Sequence, residues 1–441
     1  MRSEPVPSRK KHLAVVAVIA ACLVAIACII AIIVSQKTAS IFEPVDEAYS
    51  DGISYQPSSG STHAVQYCSE IVAANDKDNP AGTTSTQIAF DDEWFLQDPG
   101  DYNNDLAVAC MALSAIVNSE SQHYGDADAS TAYVEEALGE LGFIDIRTDS
   151  YKTRSRIDDE LQSLADDTAD TDAYAIARKE LPAVGEEPCT LVFVGVRGTF
   201  GAEWMSDLRV TDPVWSGVTD DHAGFKLAEF DVALDLADYL EENEIDVDRV
   251  KLLVTGHSRG GSVANLLAAN LIDWSDGETP LVKANNLYAY TFAPSASTKS
   301  EAYHDESYRT IFNVANPTDL VPRFPLEAWG YHCYGTRVTI PGLSTEGFDE
   351  AYATMQRMRA KNTGFASTEP YHEGDRNVLD DLERSLVENV PDPEDLSSAD
   401  GAIHAAQELV KLDLQRVIAS HAPDTYLAWL QTVGEDGLSF A

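Results

Sequence analysis

The longest apolar run of the chain lies near its N-terminus, at residues 13–34, where 22 consecutive residues carry no polar or charged side chain. At about 1.5 Å per residue, a helix of this length spans the roughly 30 Å hydrocarbon core of a bilayer. A cleaved signal peptide, the alternative, has a shorter apolar region of about 7–15 residues before a small-residue cleavage site. The pattern therefore predicts one transmembrane signal anchor over residues 13–34.

The charges that flank this run differ on its two sides. Four basic residues precede it, and acidic residues dominate residues 43–51 after it. Since positive charge is retained on the cytoplasmic side, residues 1–12 are predicted to form a cytoplasmic tail. The rest of the chain would then lie outside the cytoplasm, in a single-pass protein of the cell membrane.

Residues 35–98 mix Ser, Thr, Asn, Asp, Gly and Pro, and residues 57–61 read Pro-Ser-Ser-Gly-Ser. Such composition is typical of linkers and irregular segments. We therefore expect a linker or stalk between the anchor and the main domain.

From about residue 101 the chain alternates short apolar runs with amphipathic segments of helical spacing. Residues 190–196 form a continuous apolar, β-branched run, which indicates a strand buried on both faces of a sheet. Further strands are predicted at 250–255, 287–292, 308–314 and 336–340, and helices at 106–116, 132–141, 225–240 and 261–272. This alternation predicts an α/β fold over residues 99–441, with a mostly parallel central sheet flanked by helices. Residues 344–400 are interpreted as an insertion.

The amino-acid composition limits the kinds of molecule that this protein can bind. The chain has 73 acidic and 30 basic residues, a formal net charge of −43. A surface this negative repels phosphate backbones, and the sequence has no basic stripe, so we exclude nucleic acid as a partner. No Cys-x-x-Cys or histidine-rich pattern suggests a metal site, and no cofactor is expected. Four cysteines follow the anchor and allow three complete disulfide pairings, among which the sequence does not choose: Cys68, Cys110, Cys189 and Cys333.

One segment carries recognisable chemistry. Residues 256–260 read Gly-x-Ser-x-Gly between a predicted strand and a predicted helix. A serine at the apex of a sharp strand-to-helix turn needs neighbours without bulk, which Gly256 and Gly260 provide. The pattern predicts a nucleophile elbow with Ser258 at its apex, although a glycine-rich turn with an ordinary serine is the alternative.

With this elbow the chain resembles the class 3 lipases, the fungal triacylglycerol lipase type within the α/β-hydrolase superfamily. Residues 194–199 resemble the Arg-Gly-Ser/Thr oxyanion loop of that family. Residues 204–208 and 222–225 resemble its Trp-x-x-Asp-Leu and His-x-Gly-Phe signatures, and residues 316–325 resemble its Asn-Asp-x-Val-Pro-Arg-x-Pro stretch. The four segments follow the family's order over roughly residues 101–430.

The resemblance implies a catalytic triad in the order Ser, Asp, His. A serine hydroxyl needs a histidine to take its proton and a carboxylate to orient that histidine. By resemblance the acid is Asp319, which on its own would also fit a turn or cap. The late His-x-x-x-x-Tyr pattern makes His421 the base. The alternatives are His332, which resembles a non-catalytic histidine of the family, and His372 and His404 in the apparent insertion.

The resemblance also implies an oxyanion hole and a lid. The oxyanion donors would be the backbone N–H groups of Arg259 and Thr199, with the Thr199 hydroxyl as a third donor. The lid would lie at about residues 200–208, with apolar members that face lipid when it opens: Phe200, Trp204 and Met205. Packing of Trp204 and Leu208 into the core is the alternative.

These inferences predict a membrane-anchored, extracytoplasmic serine hydrolase that cleaves carboxylic esters, with lipid or acylglycerol esters as the substrates implied by the resemblance. A phospholipase A1, a small-ester esterase or an acyltransferase would use the same triad. A catalytically silent surface protein that keeps the fold as a binding module is the alternative from another class. The sequence does not determine the oligomeric state.

Overall fold

The computed structural model describes residues 41–119, 121, 131–152, 171–184, 187–198, 220–368, 378–409 and 411–441. The anchor predicted for residues 13–34 lies outside these ranges. Within them, no helix combines the length and the hydropathy that crossing a bilayer requires.

The strands of the described residues include the five that the apolar runs predicted, and seven others that were not predicted. In chain order they are β1 Phe42–Pro44, β2 Ser61–Cys68, β3 Thr83–Phe90, β4 Ile144–Lys152, β5 Thr171–Val184, β6 Glu187–Val196, β7 Val250–His257, β8 Leu287–Phe292, β9 Ile311–Ala315, β10 Thr336–Thr339, β11 Phe365–Ser367 and β12 Ser439–Phe440. The predicted strand at 287–292 matches β8, whereas the one at 308–314 begins three residues before β9, because Glu306–Tyr308 forms a short 3-10 turn.

The helices also include every one that the apolar spacing predicted. They are α1 Glu70–Asn75, α2 Asn104–Asn118, α3 Tyr133–Glu140, α4 Ala223–Glu242, α5 Arg259–Trp274, α6 Phe348–Thr363, α7 Val378–Asn389, α8 Ala399–Leu409, α9 Leu414–His421 and α10 Pro423–Thr432. Leu414–His421 and Pro423–Thr432 are separated by a single residue, Ala422.

The central sheet of the described residues has the order β12-β10-β9-β8-β7-β6-β5-β4. Strands β6 to β10 are parallel, whereas β4 and β5 are antiparallel at one edge and β12 is antiparallel at the other. In the interior, every residue of β8 is buried, as expected for a strand covered on both faces. The predicted α/β fold with a mostly parallel sheet is confirmed.

Two hydrophobic cores cover the two faces of this sheet. Helices α2 and α10 contribute to the larger core, and α4 and α5 contribute to the second core on the other face. The carboxyl ends of β7, β8 and β9 therefore meet at one edge of the sheet between these two layers, which is where α/β proteins place functional loops.

Residues 41–98 are not a linker, and that interpretation is wrong. Strands β2 and β3 pair antiparallel along their full lengths, and β1 pairs with β11. Tyr67, Ile88 and Phe95 are fully buried in the larger core. The polar residues that suggested a linker alternate with inward-facing apolar ones, as in a strand with one solvated face.

Residues 344–400 do not behave as one inserted unit either. Helix α6 packs against α10 and contributes Phe348, Met355 and Met358 to the larger core. Helix α7 instead shares a separate small core with the loop at 320–331. Only the later part of the interval therefore resembles an addition to the sheet.

The cysteines of the described residues form no disulfide. Cys110 is buried, and Cys68, Cys189 and Cys333 are partly buried. None of the three disulfide pairings that the sequence allowed is present in this part of the chain.

Candidate active site

Ser258 occupies the turn between β7 and α5 in a backbone conformation that is rare for residues with a side chain. Its φ is 59° and its ψ is −129°. The Ser258 N–H donates a hydrogen bond of 2.8 Å to the carbonyl of Phe292, and the Ser258 carbonyl accepts one of 3.1 Å from Ser262 N–H. The positive φ is held by these backbone contacts on both sides, as in a nucleophile elbow.

The two glycines of the motif are required by close backbone contacts. A Cβ on Gly256 would lie 2.3 Å from the carbonyl oxygen of Gly260. A Cβ on Gly260 would lie 2.3 Å from the carbonyl oxygen of Val196, at the end of β6. Both positions therefore exclude any side chain, because backbone atoms cannot move aside as a flexible side chain can. This tight turn presses the elbow against the neighbouring strand.

The structure brings Ser258, His421 and Asp319 together across more than 160 residues of sequence. His421 is the last residue of α9, and its Nε2 lies 2.8 Å from Ser258 Oγ. His421 Nδ1 lies 2.8 Å from Asp319 Oδ2. The Asp319 side chain is fully buried, whereas that of His421 is 12% exposed. This is the order of contacts that lets a histidine take a proton from a serine while a carboxylate orients its ring.

The loop that contains Asp319 follows β9. In addition to the contact between Asp319 and His421, three hydrogen bonds hold this loop in place. Val321 N–H donates to Asp319 Oδ1 at 2.9 Å, and Tyr426 OH donates to Asp319 Oδ2 at 2.8 Å. The Tyr426 oxygen in turn accepts a hydrogen bond of 3.0 Å from Asn316 N–H. The buried carboxylate therefore accepts hydrogen bonds at both oxygens, which stabilises its charge.

The backbone around His421 is also held by side chains of the site. Asn316 Nδ2 donates to the carbonyl of Ser420 at 2.9 Å. The His257 ring, 4.8 Å from the His421 ring, donates from Nε2 to the His421 carbonyl at 2.9 Å. Burial holds the pKa of His257 well below its ordinary value, and the neighbouring His421 lowers it further. His257 is therefore a neutral donor that positions His421.

The elbow and the oxyanion loop meet beside Ser258. Arg259 is the first residue of α5, so the helix N-terminus, where negative charge is stabilised, adjoins the nucleophile. Gly198 approaches so closely that a Cβ there would lie 2.5 Å from the His257 carbonyl. Gly198 N–H donates to Asn118 Oδ1 at 2.7 Å. Thr199, the second expected oxyanion donor, lies outside the described residues.

The alternative histidines lie elsewhere. His332 stacks on Tyr303 with ring centroids 3.8 Å apart, and burial lowers the pKa of His332. His404, on α8, contacts Ser385 at 3.3 Å. Neither is among the described hydrogen-bond partners of Ser258.

Two groups of expected positions lie outside the described residues. The first is His372, the remaining alternative base. The second is the lid with Phe200, Trp204 and Met205. Among the residues that the structure does describe, no group of His, Cys, Asp and Glu side chains is arranged to hold a metal ion.

Sequence reasoning gave no role to several residues of this network. His257 and Tyr426 lie within motifs that were identified, but their contacts depend on the folded geometry. Asn316 opens the motif that contains Asp319, and its amide reaches across to α9. Asn118 carried no signal in the sequence, since it is one polar residue at the end of an apolar helix.

Residues 198–329 match the family model described as lipase (class 3). This match contains Ser258 and Asp319, whereas His421 lies beyond it. No curated protein matches the chain.

Several solved lipases are similar in structure. A triacylglycerol lipase described as having a serine protease triad at its catalytic centre has 22% identity and a TM-score of 0.38, covering 55% of this chain and 83% of that one. The Rhizomucor miehei lipase propeptide complex has 22% identity and a TM-score of 0.32, covering 45% of this chain and 58% of that one. Lipase II from Rhizopus niveus has 17% identity and a TM-score of 0.34, covering 57% and 81%. The family match over residues 198–329, together with the motifs at the site, supports the interpretation of this chain as a class 3 lipase-like carboxylic ester hydrolase.

Proposed function

We propose that this protein hydrolyses lipid esters, with Ser258 as nucleophile, His421 as general base and acid, and Asp319 as the residue that orients His421. The observation that carries the proposal is the pair of 2.8 Å contacts that joins Ser258 to His421 and His421 to Asp319. The elbow conformation of Ser258, at the N-terminus of α5, supports the same roles.

In the acylation step, Ser258 Oγ attacks the ester carbonyl carbon while His421 Nε2 takes the hydroxyl proton. The carbonyl oxygen becomes an oxyanion, which the backbone N–H of Arg259 and that of Thr199 would stabilise. The intermediate collapses as the bond to the alcohol oxygen breaks. His421 gives its proton to that oxygen, the alcohol leaves, and the acyl group remains on Ser258.

Deacylation follows the same steps, with water as the nucleophile. His421 takes a proton from the water molecule, whose oxygen attacks the acyl carbon. The second tetrahedral intermediate collapses, His421 returns the proton to Ser258 Oγ, and the carboxylic acid is released. Throughout, Asp319 remains ionised and stabilises the protonated His421. Its hydrogen bonds from Val321 and Tyr426 hold it in place for this role.

The lipid substrate and the cellular location are parts of the proposal that rest on the sequence. An anchor at residues 13–34 would tether the hydrolase to a bilayer with the catalytic part outside the cytoplasm. The apolar lid residues would face the lipid. The net charge of −43 makes a strongly anionic surface the less favourable one.

Two kinds of alternative function remain distinguishable by experiment. A phospholipase A1, a small-ester esterase or an acyltransferase would use the same triad on another substrate. A silent binding module would not need an aligned serine, histidine and carboxylate, and the two 2.8 Å contacts therefore favour the hydrolase.

The test is a substrate panel on the full chain in detergent micelles. It compares p-nitrophenyl butyrate, tributyrin, a long-chain diacylglycerol and phosphatidylcholine, with and without glycerol as an acyl acceptor. We expect fastest release of acid from the acylglycerols, and none from Ser258→Ala of the same thermal stability. Equal rates for Ser258→Ala and the wild type would contradict the proposal, and preference for phosphatidylcholine would assign a phospholipase.

A further inference from the structure

The segment at residues 41–98 is hydrogen-bonded to the start of α10, which follows the proposed catalytic base. Tyr67, at the end of β2, donates from its OH to Asp424 Oδ1 at 2.6 Å. Ser69, which caps α1, donates from Oγ to Asp424 Oδ2 at 2.9 Å. All three side chains are buried. Both carboxylate oxygens of Asp424 are thus held by residues more than 350 positions away in the sequence.

Asp424 is the second residue of α10, close to the junction between α9 and α10. Ala422 is at once the residue after α9 and the residue before α10, and it gives α10 no side-chain cap. Thr425 Oγ1 donates across the turn to the Ala419 carbonyl at 2.6 Å. Because one residue joins the two helices, the position of Asp424 fixes how α9 enters the site. His421 lies three residues before it.

The hydrogen bonds from Tyr67 and Ser69 affect the protonation of the buried Asp424. Burial raises the pKa of Asp424 to about 6, and the carboxylate of Glu70 acts in the same direction. The hydrogen bonds from Tyr67 and Ser69 and the charge of Arg359 oppose this rise. At neutral pH the buried group is therefore a carboxylate that both donors stabilise. A protonated carboxyl would donate at one oxygen, so the arrangement with two donors would no longer fit.

We propose that Tyr67, Ser69 and Asp424 are positioning residues for the catalytic histidine, and that the β2–α1 segment is an integral part of the catalytic unit. This inference rests on the proposed function of Ser258 and His421. Tyr426, two residues after Asp424, donates a hydrogen bond to Asp319. A shift at Asp424 therefore displaces both His421, the base, and Tyr426, which holds Asp319. A displacement of about 1 Å is enough to slow catalysis on the order of 100-fold.

The first test compares Tyr67→Phe with Tyr55→Phe in the full chain. Tyr55 is a matched control, because it is a buried tyrosine of the same segment whose OH donates to Asp105 at 2.7 Å, on α2 and away from the turn. Hydrolysis of p-nitrophenyl butyrate is measured and normalised to active sites titrated with a fluorophosphonate. We expect Tyr67→Phe to lower kcat about tenfold with KM within twofold of the wild type, and Tyr55→Phe to keep kcat within twofold.

The second test uses pH. In Asp424→Asn the group is always neutral, so the ratio of wild-type to variant kcat is expected to exceed tenfold at pH 8 and to shrink as pH falls through about 6. Ser69→Ala, expected to lower kcat severalfold, replaces Tyr67→Phe if that variant fails to fold. Equal kcat for the Tyr67 and Tyr55 variants, or a ratio for Asp424→Asn that does not change with pH, would overturn the inference. A wild-type protein that neither turns over esters nor reacts with fluorophosphonate would instead contradict the proposed function.

Discussion

Tyr426 and His421 share one oxygen of Asp319: the Tyr426 OH donates to Oδ2 at 2.8 Å, and His421 Nδ1 lies 2.8 Å from the same atom. Burial and the Asp319 charge hold the pKa of Tyr426 well above its ordinary value, so the phenol stays protonated and remains a donor. Since α10 supplies Tyr426 and α9 supplies His421, the carboxylate joins the two helices at the site.

Tyr426→Phe tests the importance of that shared oxygen. The variant removes a hydrogen bond to a charged acceptor and leaves Asn316 N–H without the acceptor that it has in the wild type. We expect the free energy of unfolding to fall by about 1–3 kcal/mol. We also expect kcat to fall about tenfold, the equivalent of 1.4 kcal/mol, because Asp319 holds His421 less firmly. Urea unfolding and ester turnover measure the two effects, and unchanged kcat would show that Tyr426 only stabilises the fold.

Gly256→Ala tests the elbow. Its Cβ would overlap the Gly260 carbonyl oxygen at 2.3 Å, so the turn must open. We expect a loss of stability of at least about 2 kcal/mol and no measurable turnover. The matched control is Gly139→Ala in α3, where a Cβ meets nothing within 4 Å. That change should stabilise the protein by up to about 1 kcal/mol and leave turnover intact. A Gly256→Ala protein with wild-type turnover would contradict the elbow.

Asn118→Leu tests whether α2 supports the oxyanion loop. The substitution removes the acceptor of the Gly198 N–H, 2.7 Å away, beside the loop that leads to Thr199. We expect kcat to fall about tenfold as the loop loses its position. Asn118→Asp keeps an oxygen acceptor at this position and should retain most of the activity. If both variants behaved alike, the oxygen of Asn118 would not be the feature that matters.

Glu229 makes the stability of the second core depend on pH. Its side chain is fully buried 3.3 Å from Lys226 Nζ, and burial raises its pKa to about 7. A raised carboxyl pKa favours the folded state when the group is protonated. This contribution is complete below about pH 4.5 and is lost as pH rises through 7.

The free energy of unfolding of Glu229→Gln, relative to that of the wild type, should therefore rise by roughly 1–3 kcal/mol as the pH increases from 5 to 8. Glu241→Gln, an exposed position on the same helix, should show no such change. Thermal unfolding across this pH range is the measurement. A difference between Glu229→Gln and the wild type that stays constant with pH would contradict the assignment.

The parts of the fold that could be predicted are those where the local pattern determines the outcome. Strands β6, β7 and β8 are continuous apolar runs, and the glycines at 256 and 260 indicate the elbow between β7 and α5. Strand β5 was not predicted, because most residues that it contributes to the larger core are alanines, Ala173, Ala175 and Ala177, and alanine favours helices. The edge strand β4 was missed because its residues are mostly polar or charged.

The part of the site that could be predicted is the part that motifs carry. Ser258, Asp319 and His421 were named from local patterns, and the structure brings them into contact. The contact of Tyr67 with Asp424 joins positions 357 residues apart and leaves no periodic signal in either segment. Strand β2 was hidden because only Val65 and Tyr67 face inward among polar neighbours. Long-range polar contacts of this kind depend on tertiary packing, which no local pattern specifies.

The most direct test of the central claim is reaction of the full chain with a fluorophosphonate, followed by mass spectrometry of the modified peptide. If Ser258 is activated by His421 and Asp319, the label is found on Ser258, disappears on denaturation and is lost in His421→Ala. Label on another serine, or undiminished label on Ser258 in His421→Ala, would contradict the account.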